Sequence, residues 1–135
     1  MIKEIHNLNL SFNHLALSVT NMDESVDFYK HILGLEEITN KTEMEGFRWF
    51  SMGDGKELHL ISILQEPVTI NKAVHFALTT DNFDEMLAIL QTNGIAYSDW
   101  PGVINMVNIR ADGIKQIFFQ DPDGYWVEIN SVGQV

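Results

Sequence analysis

Three histidines and one glutamate stand out by type and by spacing. His14 opens "NHLALSVTNMDE" (residues 13–24), and His75 holds the same place in "VHFALTTDNFDE" (residues 74–85), with six of twelve positions identical. His59 lies in "DGKELHLIS" (54–62) and Glu128 in "DGYWVEINS" (123–131), a second pair of matching segments. Side chains alternate between the two faces of a strand. Leu15, Leu17 and Val19, Val74, Phe76 and Leu78, Leu58 and Leu60, and Val127 and Ile129 therefore form helix-packing faces. His14, His59, His75 and Glu128 take the opposite face of four strands. If the halves are related by a pseudo-twofold, the four converge. Three imidazoles and a carboxylate, with no thiolate, suit one divalent ion of the borderline or hard kind: Zn, Ni, Mn, Co or Fe(II). A lone strand histidine is ordinary, so the signal is the symmetric set of four.

The elements that must carry these residues follow from the repeat. Met22, Val26 and Tyr29 and, one repeat on, Phe83, Leu87 and Leu90 keep the spacing of one helix face. Asn21 and Asn82 precede acidic first turns and are expected to cap the helices, which Gly34 and Gly94 end. Asp54-Gly55 and Asp123-Gly124 supply hairpin turns before each last strand. Each half reads strand, helix, two strands, Asp-Gly turn, last strand. The expectation is a single α+β domain over 1–135, with βαβββ modules at about 10–63 and 73–131, forming a cupped mixed sheet with helices on its outer face.

Composition narrows the partners. The chain has 135 residues, 45% of them hydrophobic, enough for a real core. Nineteen acids against eight bases give a net charge of -11, which works against nucleic acid and anionic membranes. It also leaves few cations for glutathione or a nucleotide. The absence of cysteine excludes disulfides and a catalytic thiol and fits a reducing cytoplasm. No stretch reads as a membrane span, and "MIKEIHNLNL" does not read as a signal peptide. Trp49, Phe118 and Trp126 are candidates for lining a pocket for an apolar or aromatic substrate. "DPDG" (121–124) reads as a turn rather than an acidic metal motif, and His6 and His31 read as exposed bystanders.

"HLALSVTNMDESVDFYKHILGLE" (14–36), "VHFALTTDNFDEMLAIL" (74–90) and "FFQDPDGYWVEI" (118–129) together resemble the vicinal oxygen chelate superfamily, the glyoxalase I, bleomycin-resistance and extradiol dioxygenase group. The resemblance implies paired βαβββ modules, often in homodimers, with a metal at the bottom of a cup held by His14, His59, His75 and Glu128. It implies a small-molecule substrate. A glyoxalase-like lyase or isomerase, working through a metal-chelated enediolate-type intermediate with Glu128 as the base, is the first expectation. An Fe(II) extradiol-type dioxygenase is the second, with His14, His75 and Glu128 as ligands and His59 as acid/base. Phe118, where such enzymes place a tyrosine, and the short chain weigh against it. A fosfomycin-type thiol transferase is disfavoured because only Arg48 and Arg110 are placed to meet a phosphonate. A metal-free drug-binding dimer of the bleomycin-resistance kind is the non-enzymatic alternative, which four intact ligand positions oppose.

Overall fold

The computed structural model describes residues 8–134, so His6 lies outside the described residues. The strands form two four-stranded mixed sheets. In the first, β1 (His14–Ser18), β2 (Glu37–Ile38), β3 (Phe47–Gly53) and β4 (Lys56–Ile61) run in the order β1-β4-β3-β2. In the second, β5 (His75–Thr79), β6 (Asn108–Ile109), β7 (Lys115–Gln120) and β8 (Trp126–Asn130) run β5-β8-β7-β6. Each first strand pairs parallel to its module's last strand, and the other pairs are antiparallel. The two modules thus share one topology, and β1 and β5 are each left at an edge.

The alternation expected from the sequence sets the core. Leu58, Leu60, Val127 and Val19 are fully buried, and Leu17 and Ile129 nearly so. They join Tyr29, Phe50, Phe83, Leu90 and Phe119 in one apolar cluster spanning both modules. Burying an aliphatic or aromatic side chain of this kind is worth about 1.5–3 kcal/mol. Val74 departs from the expectation. It sits one residue before β5, in a turn closed by its own N–H on the Asn71 carbonyl, and is 71% exposed.

The helices differ from each other more than the repeat implies. α1 (Met22–Asp27) is capped as expected, Asn21 Oδ1 accepting from the Glu24 N–H at 3.0 Å. It then widens into a π-helical turn, Phe28–Ile32, where the Leu33 N–H reaches back to the Phe28 carbonyl. α2 (Phe83–Thr92) follows Asn82, whose side chain makes no capping bond. Its amide instead donates to Asp81, and Thr80 Oγ1 accepts the Asn82 N–H. Gly34 and Gly94 both end their helices at positive φ (69° and 67°), which glycine adopts without steric cost.

The "DPDG" segment is a turn that also joins the modules. Asp121 Oδ1 accepts the Asp123 and Tyr125 N–H groups, while its Oδ2 accepts the buried Tyr29 hydroxyl at 2.6 Å. Asp123 in turn accepts from the Thr20 N–H and hydroxyl and from Ser25. Burial and the Asp121 charge push the Tyr29 pKa well up, and burial raises that of Asp121 against the pull of the Tyr29 hydrogen bond. No helix among the described residues is long and apolar enough to cross a membrane.

Candidate metal centre

His75 on β5 and Glu128 on β8 meet across the parallel pair, where Ala77 stands opposite Glu128. His75 Nδ1 lies 3.0 Å from the Lys72 carbonyl oxygen. A carbonyl only accepts, so Nδ1 carries a proton, and in the neutral ring Nε2 keeps its lone pair. That Nε2 is 3.3 Å from Glu128 Oε1. The other carboxylate oxygen, Oε2, is clamped by Gln116 Nε2 at 3.1 Å and Asn130 Nδ2 at 2.8 Å. With the ring neutral, two acceptors, each anchored from behind, face each other, and a proton or a metal ion between them would satisfy both. Two ligands about 2.1 Å from one ion, at angles of about 90–110°, stand roughly 3.0–3.4 Å apart. The observed separation fits that requirement, and outer partners of this kind are how proteins orient metal ligands.

The first module presents a different pair. His14, exposed on β1, has Nδ1 2.7 Å from Asn13 Oδ1, which leaves its Nε2 lone pair free. His59 is buried. Its ring is stacked between His14 (centroids 4.1 Å) and Trp49 (3.9 Å), and its Nε2 lies 2.9 Å from Glu57 Oε1. The outward nitrogen of His14 thus has no protein partner among the described residues, whereas His59 has one nitrogen held by a carboxylate, a contact that orients the ring. Alternation along the strand already sets Glu57 beside His59 in the sequence, but gives it no role. The signal was available, because Glu57 shares a face with His59 two residues on and stands opposite His14 in the β1–β4 register.

The four predicted residues come together in one chain as two pairs, His14 with His59 and His75 with Glu128. Among the described residues no group of three His, Asp or Glu is placed to hold one ion.

Aromatic rings wall both pairs. Trp49 lies flat on His59, and its indole Nε1–H is buried without a hydrogen-bond partner. Phe118 meets the His75 ring edge-on at 5.7 Å, and Trp100, not singled out from sequence, packs on both. Phe118 and Trp126 also surround the Lys72 ammonium, whose pKa is lowered by burial. A cavity of about 410 Å³ beside His75 is lined by Leu15, Leu17, Val68, Val74, Phe76 and Trp126. Arg48 is spent in a two-pronged bond to Glu37 (2.7 Å each) and Arg110 on Asp112 (2.6 Å). His31 is exposed beside Asp27, as expected.

The chain belongs to the Glyoxalase/Bleomycin resistance protein/Dioxygenase superfamily, whose family model matches residues 11–129. It is 28% identical over 125 residues to Glyoxylase I 4 of Arabidopsis thaliana, covering 88% of this chain and 69% of that one. It is 29% identical over 124 residues to the metallothiol transferase FosB of Shouchella clausii, covering 88% and 78%. A solved glyoxalase/dioxygenase from Nostoc punctiforme superposes with a TM-score of 0.76 at 25% identity, over 97% of this chain and 98% of that one. Members of the superfamily are mostly enzymes, typically use a divalent metal and often form dimers. At this level of identity the relatives span more than one reaction type.

Proposed function

We propose that this chain is a metal-dependent enzyme whose centre is shared by two copies, with His14 from one chain and His75 and Glu128 from the other holding one divalent ion. The observation that carries the reading is the facing pair of anchored acceptors, His75 Nε2 and Glu128 Oε1. Exposed apolar surface flanks each half. Leu10 (88% exposed) and Phe12 (58%) precede His14, while Val74 and Trp100 border His75. A twofold dimer presents each half to the other and closes two centres at once. Its place of work is the cytoplasm, in keeping with a cysteine-free chain.

An ion bound there would supply Lewis-acid polarisation of two neighbouring oxygens on a small oxygenated substrate. His59, oriented by Glu57, then removes or returns the carbon-bound proton beside the polarised carbonyl, which is lyase or isomerase chemistry of the glyoxalase kind. Glu128 was the base expected from sequence. The clamp of Gln116 and Asn130 on its Oε2 favours a fixed ligand instead, and the Glu57 contact favours His59 as the base. The rings of Trp49, Phe118 and Trp126 and the adjoining cavity suit an apolar substituent.

The same Glu57–His59 contact supports a second reading. Two histidines and one carboxylate with a separate acid/base histidine is the set expected for an Fe(II) dioxygenase. Elemental analysis of untagged protein purified without oxygen or added metal separates these. About one equivalent of Zn, Ni, Co or Mn, with turnover abolished and metal retained in His59→Gln, is the expected result. One equivalent of Fe with oxygen uptake on catechols would move the assignment to the dioxygenase. No metal after reconstitution would overturn the metal reading and leave the metal-free drug-binding dimer.

A further inference from the structure

The side chain of Lys72 is held by the wall of the His75–Glu128 pair, although the residue belongs to the linker between the modules. Its ammonium lies 4.9 Å from the ring centroids of Phe118 and Trp126 and 5.3 Å from that of Trp100. It donates to the Asp99 carbonyl at 2.8 Å, the Trp100 carbonyl at 2.9 Å and Ser98 Oγ at 3.3 Å. An ammonium has three N–H donors, and all three are used. Lys72 is therefore not a free cation waiting for an anionic substrate.

The other end of the same residue sets the state of His75. The Lys72 carbonyl accepts His75 Nδ1–H, and this leaves Nε2 as the lone pair that faces Glu128. The local turn has its own support, because Asn71 Oδ1 accepts the Ala73 N–H and the Asn71 carbonyl accepts the Val74 N–H. Those bonds fix the shape of the turn. At its far end the turn enters β5, whose pairing with β8 begins at His75 opposite Trp126. On its linker side the turn is held by the loop that Lys72 grips, where Ser98 exchanges both backbone hydrogen bonds with Phe118 at 2.9 Å, and Phe118 stands opposite Glu128 in the β7–β8 register. One side chain thus ties the carbonyl that orients His75 to a loop paired with the β7 position opposite Glu128.

We infer that Lys72 is a positioning residue for the metal centre, its caged ammonium locating the linker turn so that its own carbonyl holds His75 in the Nδ1–H tautomer with Nε2 aimed at Glu128. The inference rests on the metal-site reading for its purpose, but its geometry can be tested in the metal-free protein. Long-range proton–nitrogen correlation on 15N-labelled protein reads the tautomer of each histidine ring. Wild type should show His75 as one tautomer, protonated at Nδ1. Lys72→Met, which keeps the length and loses the charge, should give a mixture of tautomers at His75 and leave the His14 signals unchanged. Its Zn(II) affinity should fall about 10- to 100-fold, the usual loss when the support of a ligating histidine is removed. Lys72→Arg keeps a cation that stacks on rings and donates to carbonyls, and should retain the wild-type tautomer.

A single Nδ1–H tautomer and Zn(II) affinity within about twofold of wild type in folded Lys72→Met would overturn the inference. If Lys72→Met does not fold, Lys72→Gln takes its place, and a single Nδ1–H tautomer with unchanged Zn(II) affinity in that folded variant would overturn it equally. Wild-type protein that binds no Zn(II) would sink the metal reading alone, with the tautomer comparison still deciding the role of Lys72.

Discussion

Replacing Tyr29 by Phe tests how the two modules are joined. Tyr29 is fully buried in the π-helical turn after α1, and its hydroxyl donates at 2.6 Å to Asp121 of the β7–β8 turn, ninety-two positions away. Phenylalanine keeps the ring and its apolar burial, so the change isolates the hydrogen bond. A bond to a charged acceptor contributes about 1.5–3 kcal/mol, and the lost partner leaves Asp121 Oδ2 buried and unpaired. With an unfolding entropy of about 2.1 cal/mol/K per residue over the 135-residue chain, Tm should fall by about 5–11 °C at neutral pH. The pH dependence has a sign. The pKa of Tyr29 is raised in the folded state, so folding holds the phenolic proton more tightly than the unfolded chain does. That contribution is intact below the unfolded tyrosine value of about 10 and is lost as pH rises beyond it. The Phe variant has no such proton, so its deficit against wild type should narrow above about pH 10. Thermal scans at neutral pH read the first effect and urea titrations at neutral and alkaline pH the second, all at one protein concentration because the stability of any dimer depends on it. A Tm change under about 1 °C, or a deficit that stays constant into the alkaline range, would refute the reasoning.

Other consequences are local. Glu37 accepts two bonds from Arg48 and one from Lys30, and the Arg48 hydrogen bond chiefly lowers its pKa. The stabilisation is present above the ordinary Glu value of about 4.3 and is lost as pH falls through the lowered folded value. Glu37→Gln should therefore cost under about 1 kcal/mol at neutral pH, since the groups are partly exposed, and match wild type in strong acid. Gly46 has φ of +83°, and an added Cβ would collide with Ile63 Cγ2, whereas Gly55 at +73° faces open space. Thermal scans should rank Gly46→Ala well below Gly55→Ala; equal losses would mean that the Ile63 contact yields freely. Gln116→Leu removes one of the two donors on Glu128 Oε2, and Zn(II) titration should show roughly 10-fold weaker binding or worse.

Much of the architecture was legible because it depends on local rules. Alternation in "HLALS" and "KELHL", the Asp-Gly turns and the helix-ending glycines each carry their own physics, and the repeat doubled every signal. The misses have a common cause in competition that spacing does not reveal. Asn82 had a capping residue's identity, but Asp81 takes its amide. The apolar face of α1 has helical spacing, yet its second half accommodates a π turn. Val74 falls in the alternation of β5 but lies in the turn before it. At the site, alternation placed all four candidates on strands. It was silent on which of them meet, because pairing across a sheet depends on register and on the packing of one module against the other. Glu57 was given no role beside His59, and Trp100 was not singled out, because a strand glutamate and a loop tryptophan are common. Lys72 was missed because its role runs through a backbone carbonyl.

Complementation between two inactive variants tests the shared centre most directly. His14→Ala and His75→Ala homodimers each lack a ligand at both centres. A mixed dimer has one centre with both substitutions and one with neither. After the two variants are unfolded together and refolded, random reassortment should restore tight binding of the divalent ion at about one quarter of the centres. Each variant refolded alone should restore none. Failure of the mixture to recover any binding, with mixed dimers shown to be present, would contradict a centre shared between two chains.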